Sequence, residues 1–463
     1  STQLTQAITM VAGILTRRFL GTFQMGVWAT LQIVLDYSKY TTLGTTDAAS
    51  REIPYHTGKQ DPDAVERIKD TVFTFGMVAS FLTGCAAAAY AVLFRDSLRP
   101  ELFWGLLALS GMIVLQRLNN LMIGLLRAYK KFDLAGRQMI WSALVNAGLI
   151  AVLAYHFKMY GFMGALALSF VFNIVYIRYH YNFKFRWGIH SRVYGLIAFG
   201  TPLMLLAFAS SILNSIDRIL VIRMLGFDAM GLYSVPVMAL NAMVRLPNSL
   251  GVVMIPHFHE KFGERDSRED VCRYMEKASL GMMNMMPFAI GLAWIFLPAV
   301  VGWVLPEYVP GVRAARYLIL GAYFVALTLP YGNYLITIKR HWVLFPVMVA
   351  VIAAAAALDI AVIRAGWGLE GVALATTVTF GLHFLMLFAA VGRTIYSWKL
   401  RVVWLLRILV RFLWIVLPLA ALDAWLPADK ISGYIFLHSL IYVLIQWPFL
   451  RQFMIRMDYH PLR

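Results

Sequence analysis

Seven of the ionisable side chains inside long apolar stretches of this sequence are candidates for function, because a charge there is costly unless it faces a cavity or a partner. The cations are Lys39, Arg117, Arg218 and Arg245, and the acids are Asp36, Asp217 and Asp359. A guanidinium presents N–H donors in a planar fork that matches phosphate oxygens, so the cations predict an anionic, phosphate-bearing ligand. The aspartates are candidate sites for coupling to a proton or Na⁺ gradient.

Asparagines and charges recur at helical spacing within these stretches. Asn241, Arg245 and Asn248 share one face of a helix, and such a polar stripe favours a water-accessible interior over lipid. The same spacing relates Asp36 to Lys39, Arg117 to Asn120, and Asn214 to Asp217 and Arg218. Two alternatives stay open. The Asp–Lys and Asp–Arg neighbours also fit structural ion pairs, and asparagines also join helices by hydrogen bonds.

The composition identifies the elements that must position these groups. The 463 residues are 60% hydrophobic and only 14% charged, which is too apolar for a soluble protein of this length. The apolar residues form runs of about 20, the length of a helix that crosses a bilayer. We therefore predict an all-α, polytopic membrane protein.

Fourteen transmembrane helices are predicted. Their ranges are 1–16, 25–46, 70–94, 102–126, 137–157, 161–179, 196–222, 229–256, 277–304, 312–337, 342–363, 368–391, 402–425 and 432–450. The connections after even-numbered helices carry more than twice as many Lys and Arg residues as the others. This asymmetry predicts that those connections and both termini are cytoplasmic. It also assigns the net charge of +17 to topology and lipid contact rather than to nucleic-acid binding.

Two phrases occur twice at nearly the same spacing. The sequence RFLGTFQMGVWA, beginning at Arg18, matches RMLGFDAMGLYS, beginning at Arg223. Similarly, the GFMG that begins at Gly161 matches the GLEG that begins at Gly368. The repeats predict two pseudo-symmetric six-helix lobes, 1–195 and 196–395, and two extra helices in 396–463. Each lobe has an even number of spans, so the lobes are parallel repeats about an axis along the membrane normal.

Several short motifs carry a resemblance to a known family. They are the repeated R-x-L-G-x-x-x-M-G phrase, Ala48-Ala49-Ser50-Arg51, Arg127-Ala-Tyr-Lys-Lys-Phe, Asn214-x-x-Asp217-Arg218 and Pro256. In this order and spacing, the chain resembles the Wzx-type polysaccharide flippases of the multidrug/oligosaccharidyl-lipid/polysaccharide (MOP) superfamily, over nearly its whole length.

The resemblance implies a function and an architecture. It implies a V-shaped pair of six-helix lobes around a central cavity and transport by alternating access, without catalytic residues. The substrate would be an undecaprenyl-pyrophosphate-linked oligosaccharide, moved from the cytoplasmic to the periplasmic leaflet of a bacterial inner membrane. The last two helices resemble a pair that forms a groove for the lipid tail in related flippases.

The resemblance also implies site residues. Arg51 matches the family's arginine in helix 2, and Asn214, Asp217 and Arg218 match its signature in helix 7. The pyrophosphate and cavity residues are therefore Lys39, Arg51, Arg117, Arg218 and Arg245, with polar lining from Asn120, Asn214, Asn241 and Asn248. Arg117 and Arg245 are inferred from their depth and spacing alone.

Other functions were weighed against this one. A multidrug or cation antiporter of the same superfamily is the main alternative, although such a protein would show an excess of unpaired carboxylates. A membrane glycosyltransferase needs acidic residues in a sizeable outer loop, which this sequence lacks. No nucleotide-binding G-x-x-x-x-G-K-[ST] loop occurs, so we expect an ion gradient and neither cofactor nor metal site. The expected partners are the substrate, membrane lipids and polysaccharide polymerase or export proteins, with the transporter itself a monomer.

Overall fold

A computed structural model describes residues 2–190, 193–265, 268–425 and 438–448, and these residues are almost entirely helical. Fourteen α-helices are defined. They are α1 Thr2–Ser38, α2 Thr45–Gly58, α3 Pro62–Leu93, α4 Pro100–Ala128, α5 Phe132–Leu149, α6 Tyr155–His180, α7 Val193–Leu213, α8 Ile216–Leu225, α9 Phe227–Arg265, α10 Arg268–Val304, α11 Val312–Thr337, α12 Leu344–Arg364, α13 Gly368–Ile395 and α14 Trp398–Trp425. Residues 438–448 are also helical.

Ten helical segments of the described chain are long and apolar enough to cross a membrane. The longest, Phe132–His180, is interrupted at Lys158, whose backbone has a φ of 52° and a ψ of −128°. It therefore corresponds to the predicted helices 137–157 and 161–179. The prediction of an all-α, polytopic membrane protein is confirmed. The predicted last helix, 432–450, lies partly outside the described residues.

The second predicted helix, 25–46, was too long. The α-helix ends at Ser38, and Lys39–Thr42 form a short 3₁₀ helix. Leu43 and Gly44 then adopt left-handed conformations, and α2 begins in a new direction. A Cβ on Gly44 would overlap the backbone carbonyl of Gly200 in α7, so only glycine allows this close approach.

The seventh predicted helix, 196–222, is two helices. The chain leaves helical geometry at Asn214 and Ser215, between α7 and α8. The side chains at this break bond to the preceding turn, because Asn214 Nδ2 and Ser215 Oγ donate to the carbonyls of Ser210 and Ser211. Polar side chains that compete with backbone hydrogen bonds in this way favour a helix end.

The first of two compact units comprises residues 1–215 and 226–231. Its apolar core has two parts. One part joins α1, α4 and α6 around Trp28 and Phe162, whose rings meet edge to face at 4.8 Å. The other joins α2, α3 and α4 around Ile53 and Ile68, which are both fully buried.

The first repeated phrase is crossed by residues 226–231 of the second phrase, which belong to this first unit. Gly21 and Gly226, which correspond in the repeat, both have positive φ angles, of 71° and 92°. After these two glycines the phrases touch each other, and each phrase approaches the other in the same way. A Cβ on Gly26 would overlap the carbonyl of Phe227, and a Cβ on Gly231 would overlap the carbonyl of Thr22. We call this reciprocal contact the glycine crossing.

The second unit comprises residues 216–225 and 232–463. Within it α13 packs along α11, most of whose side chains are buried. Hydrogen bonds fix the later helices to this pair and to α10. Tyr323 donates its hydroxyl to the carbonyl of Ile408 in α14, at 3.1 Å, and Tyr442 donates to that of Pro287 in α10, at 2.8 Å.

An ionic cluster at one end of the second unit holds α10, α11 and α14 together. Arg316 in α11 donates to the Asp423 carboxylate at 3.2 Å and to the carbonyl of Trp294 at 3.1 Å. The Trp294 indole N–H donates to the same carboxylate at 3.1 Å. Because its partners come from two other helices, α10 and α14, this buried arginine has a structural role.

Candidate functional site

Arg117 lies at the break that ends α1. Its side chain is only 7% exposed on α4. Its Nε donates to Ser80 Oγ of α3 at 3.1 Å, and its Nη2 donates to the carbonyl of Lys39 at 2.9 Å. Carbonyl groups at a helix C-terminus lack intrahelical donors, and the guanidinium supplies one. Arg117 therefore fixes the end of α1, and this geometry does not support the direct contact with the ligand that depth and spacing suggested.

Two other predicted cations of the first unit are exposed. The Lys39 ammonium lies 5.0 Å from the ring centroid of Tyr40, and the Arg51 guanidinium lies 5.1 Å from that of Phe199. Tyr40 is itself fixed, because its hydroxyl donates to the carbonyl of Ala207 in α7 at 3.0 Å. Both cations thus rest on aromatic rings while keeping their donors accessible.

The remaining predicted polar residues of the first unit lie near the same elements. Asp36 is half-buried in the last turns of α1, and Asn120 is exposed on α4, one turn beyond Arg117. Asn214 is exposed at the end of α7. The adjoining Ser215 hydroxyl lies 2.6 Å from that of Tyr37, which joins this end of α7 to α1.

The second unit contains two buried carboxylates on neighbouring helices. Asp217 in α8 is 6% exposed and Asp359 in α12 is 1% exposed. Asp217 accepts hydrogen bonds from the Tyr233 hydroxyl at 2.9 Å and from the backbone N–H of Arg218 at 2.7 Å. Neither carboxylate oxygen of Asp359 has a hydrogen-bond partner within the described residues.

Of the two carboxylates, that of Asp359 is the less favourable as an anion. It is buried without a hydrogen-bond partner in the described residues and interacts with the Asp217 carboxylate, whereas Asp217 also interacts with the neighbouring Arg218 cation. A bound proton or a small cation relieves both the repulsion and the burial cost. The arrangement can therefore bind and release a positive charge. No group of three or more His, Cys, Asp and Glu side chains in the described residues is placed to hold a metal ion.

Tyr233 is the site residue that the sequence did not reveal. It is fully buried and bonds directly to Asp217. It occupies the aromatic position of the repeated phrase, where Trp28 stands in the first copy. In the repeat, this aromatic position indicates a packing role. The available signal for a site residue was the replacement of Trp28 by Tyr233 in the second copy, because tyrosine adds a hydroxyl group.

The predicted stripe on α9 is polar and accessible. Asn241 and Asn248 are exposed, and Arg245 and the half-buried Arg218 both have interaction partners. An apolar cavity of about 460 Å³ lies between α9 and α10, lined on α9 by Met243 and Leu246. At 3.6 residues per turn, those two residues are on nearly the opposite side of α9 from the stripe, so the cavity is separate from this site.

Residues 1–262 match the model of a protein family described as "Polysaccharide biosynthesis protein". No curated protein sequence matches the chain significantly. Solved structures with similar folds include a lipid II flippase MurJ in an inward closed conformation, with a TM-score of 0.69 and 15% identity. That match covers 99% of this chain and 100% of the other.

A multidrug resistance MATE family transporter of the MOP superfamily is also similar, in an inward-facing and in an outward-facing conformation. Its inward-facing structure has a TM-score of 0.63 at 16% identity, covering 91% of this chain and 96% of the other. Its outward-facing structure has a TM-score of 0.57 at 13% identity, covering 91% and 94%. At these identities the likeness establishes the fold.

Proposed function

Because the chain belongs to the polysaccharide biosynthesis protein family, we propose that it is a flippase for an undecaprenyl-pyrophosphate-linked oligosaccharide. It moves this lipid from the cytoplasmic to the periplasmic leaflet of a bacterial inner membrane, with both termini in the cytoplasm. It acts by alternating access, as a monomer and without enzymatic chemistry. Polysaccharide polymerase and export proteins are its proposed partners.

The observation that carries this proposal is the pair of exposed cations on either side of the break between α1 and α2. Lys39 and Arg51 present positive charge on aromatic supports, with Arg117 fixing the backbone that carries Lys39. A pyrophosphate offers several anionic oxygens to such donors. Arg218 and Arg245 are the proposed cations of the second unit, and Asn120, Asn214, Asn241 and Asn248 contribute polar lining.

We place ion coupling at the Asp217–Asp359 pair. A proton or Na⁺ that enters this buried site changes its charge, and release of the ion restores the repulsion between the carboxylates. A gradient of that ion can therefore favour one conformation of the transporter over another. Asp36 stays a candidate coupling group in the first unit, because it is half-buried near the break that follows α1.

The test is reconstitution into vesicles with a labelled lipid-linked oligosaccharide, scored by protection of the label from an external reagent. Arg51→Ala should lower the transport efficiency about tenfold to a hundredfold, the effect of losing one or two charge-assisted hydrogen bonds. Arg95→Ala is the matched control, since Arg95 is also exposed and lies 5.4 Å from a phenylalanine ring. Equal losses in both variants would contradict the proposed phosphate contact.

One observation favours a second candidate function. The buried carboxylate pair would also suit a cation-coupled multidrug antiporter, and the similar MATE-family structures are those of multidrug resistance transporters. Such a protein would move small organic cations, and Arg51→Ala would leave that activity intact. Vesicles loaded with a fluorescent organic cation separate the two functions. Export of the dye without movement of the labelled lipid would replace the flippase assignment.

A further inference from the structure

The connection between α6 and α7 is an extended segment that is bonded to α3. We call residues 181–190 the strap. Three of its backbone N–H groups donate to α3 side chains at 3.0–3.2 Å: Arg186 to Asp70 Oδ1, Gly188 to Thr74 Oγ1, and His190 to Thr71 Oγ1. Asp70 is buried beside Lys69, which pairs with Glu66. These bonds hold the strap in one register, so its side chains have defined directions.

Alternate residues of the strap form a row of aromatic rings against the first unit. The row contains Tyr181, Phe183, Phe185 and Trp187, together with Phe73 of α3 and Tyr129 at the end of α4. The closest rings are those of Phe73 and Phe185, stacked at 4.5 Å. Burial raises the pKa of Tyr129 to about 12, so its hydroxyl stays neutral in this row.

The strap residues between these aromatic positions are polar or positively charged. Asn182, Lys184 and Arg186 are exposed, and no ion pair is found for the two cations in the described part of the chain. Trp187 keeps 69% of its surface exposed although it touches Phe73. Exposed cations therefore alternate with aromatic rings, the last of which is largely uncovered.

The sequence pattern predicts that the strap lies at the level of a membrane surface. Its acceptors Asp70, Thr71 and Thr74 belong to the first turns of the apolar span predicted from residue 70. The connection follows an even-numbered helix, on the side that the charge asymmetry assigns to the cytoplasm. Tyr179 and Tyr194, on either side of the strap, are 87% and 79% exposed. Tryptophan and tyrosine are enriched at this headgroup level.

We propose that the strap is a binding surface for anionic phospholipid headgroups of the cytoplasmic leaflet. Lys184 and Arg186 contact the headgroup phosphates, and Trp187 inserts its ring beside them at the interface. Each basic residue near an anionic surface contributes about 1 kcal/mol. Loss of both cations should therefore weaken binding of anionic lipid roughly 30-fold.

The experiment uses the full-length protein in neutral detergent, titrated with phosphatidylglycerol or phosphatidylcholine and scored by native mass spectrometry. Wild-type protein should retain phosphatidylglycerol preferentially. The double variant Lys184→Gln/Arg186→Gln should lose that preference, and Lys184→Arg/Arg186→Lys should keep it. Lys339→Gln/Arg340→Gln is the matched control, because it removes the same charge from another exposed cytoplasmic connection.

Two results would overturn the proposal. One is retention of phosphatidylglycerol by Lys184→Gln/Arg186→Gln at wild-type levels. The other is displacement of phosphatidylglycerol by a soluble polyglutamate at equal charge concentration, which would assign the surface to an acidic protein partner. An unchanged melting temperature of the Gln variant in phosphatidylcholine separates lost binding from lost folding. Transport activity is not the readout, so the result is independent of the flippase assignment.

Discussion

Single residues differ in how far their roles follow from sequence. The sequence showed that Arg117 lies deep in an apolar run. Its hydrogen-bond partners, however, are the chain at the end of α1 and Ser80 in α3. Spacing along a single helix cannot predict contacts with other helices. Asp217 and Asp359 were predicted as candidates for coupling, yet only the packing of α8 on α12 places them in one buried site.

Replacement of Arg117 tests its structural role. Arg117→Met keeps the length of the side chain but removes the guanidinium donor to the Lys39 carbonyl, which then keeps only the Thr42 hydroxyl, at 3.1 Å. We expect the free energy of unfolding to fall by about 1–3 kcal/mol, the effect of losing hydrogen bonds from a buried charged group. Ser80→Ala removes only one neutral partner and should cost less. Unfolding in detergent, followed by circular dichroism, measures both, and a fully stable Arg117→Met would restore a ligand-binding role.

The carboxylate pair gives a prediction for pH dependence. If a proton is the coupling ion, the transport rate of the wild type changes with pH, and Asp359→Asn makes the rate independent of pH. The amide keeps the volume but cannot gain or lose a charge. Asp96→Asn, at an exposed position, should behave as the wild type. A pH profile that is unchanged in both Asp217→Asn and Asp359→Asn would exclude the pair from proton coupling.

The variant Tyr233→Phe separates the effect of the hydrogen bond to Asp217 from the effect of removing an ionisable carboxylate. The phenylalanine removes the hydroxyl that Asp217 accepts, at 2.9 Å, without changing the number of ionisable carboxylates. We expect the pH dependence to persist with its midpoint moved upward, because a hydrogen bond to the charged form stabilises that form. Transport assays over a range of pH values measure the midpoint, and a downward movement would contradict the assigned hydrogen bond.

Among whole elements, the existence of the helices was predictable and several of their ends were not. Runs of about 20 apolar residues identify spanning helices because of the bilayer's thickness. The break after α1 depends on left-handed geometry at Leu43 and Gly44. Leucine seldom adopts this geometry, so Gly44 was the available sequence signal at the break. The strap was predicted only as a connection, because its bonds to α3 join residues far apart in the chain.

The glycine crossing is the element most sensitive to a single methyl group. Gly26→Ala forces the Phe227 carbonyl to move, and we expect a loss of stability of about 1–3 kcal/mol, or failure to fold. Gly148→Ala is the matched control, because that helical glycine has open space around its Cβ position and alanine favours a helix by up to about 1 kcal/mol. Thermal unfolding of both variants distinguishes local overlap from a general effect of the substitution.

The whole molecule was well predicted in class and family. The all-α membrane fold is confirmed, and the chain belongs to the polysaccharide biosynthesis protein family that the resemblance indicated. The compact units divide at Ser215, within the predicted seventh helix, whereas the repeat suggested a boundary at 195. The lobe boundary and the separate 396–463 pair therefore stay predictions, since contact-based units and sequence repeats measure different properties.

Energy supply is a prediction about the whole transporter. With no nucleotide-binding loop in this sequence, we expect lipid movement in sealed vesicles to need a proton or Na⁺ gradient and to ignore ATP. Dissipating the gradient with an ionophore selective for each ion identifies which one is used. Asp359→Asn vesicles serve as the control, and undiminished transport after both gradients are removed would contradict coupling at the buried pair.

The glycine crossing also bears on ancestry. Each copy of the repeated phrase contributes one glycine and one backbone carbonyl to the contact. Gly26 of the first copy meets the carbonyl of Phe227 in the second copy, and Gly231 of the second copy meets the carbonyl of Thr22 in the first. A surface that fits an identical copy of itself is the defining property of a two-fold homodimer. If the halves arose by gene duplication, this contact is older than the fused chain, and the ancestral half-length protein assembled as a dimer through the same pair of glycines.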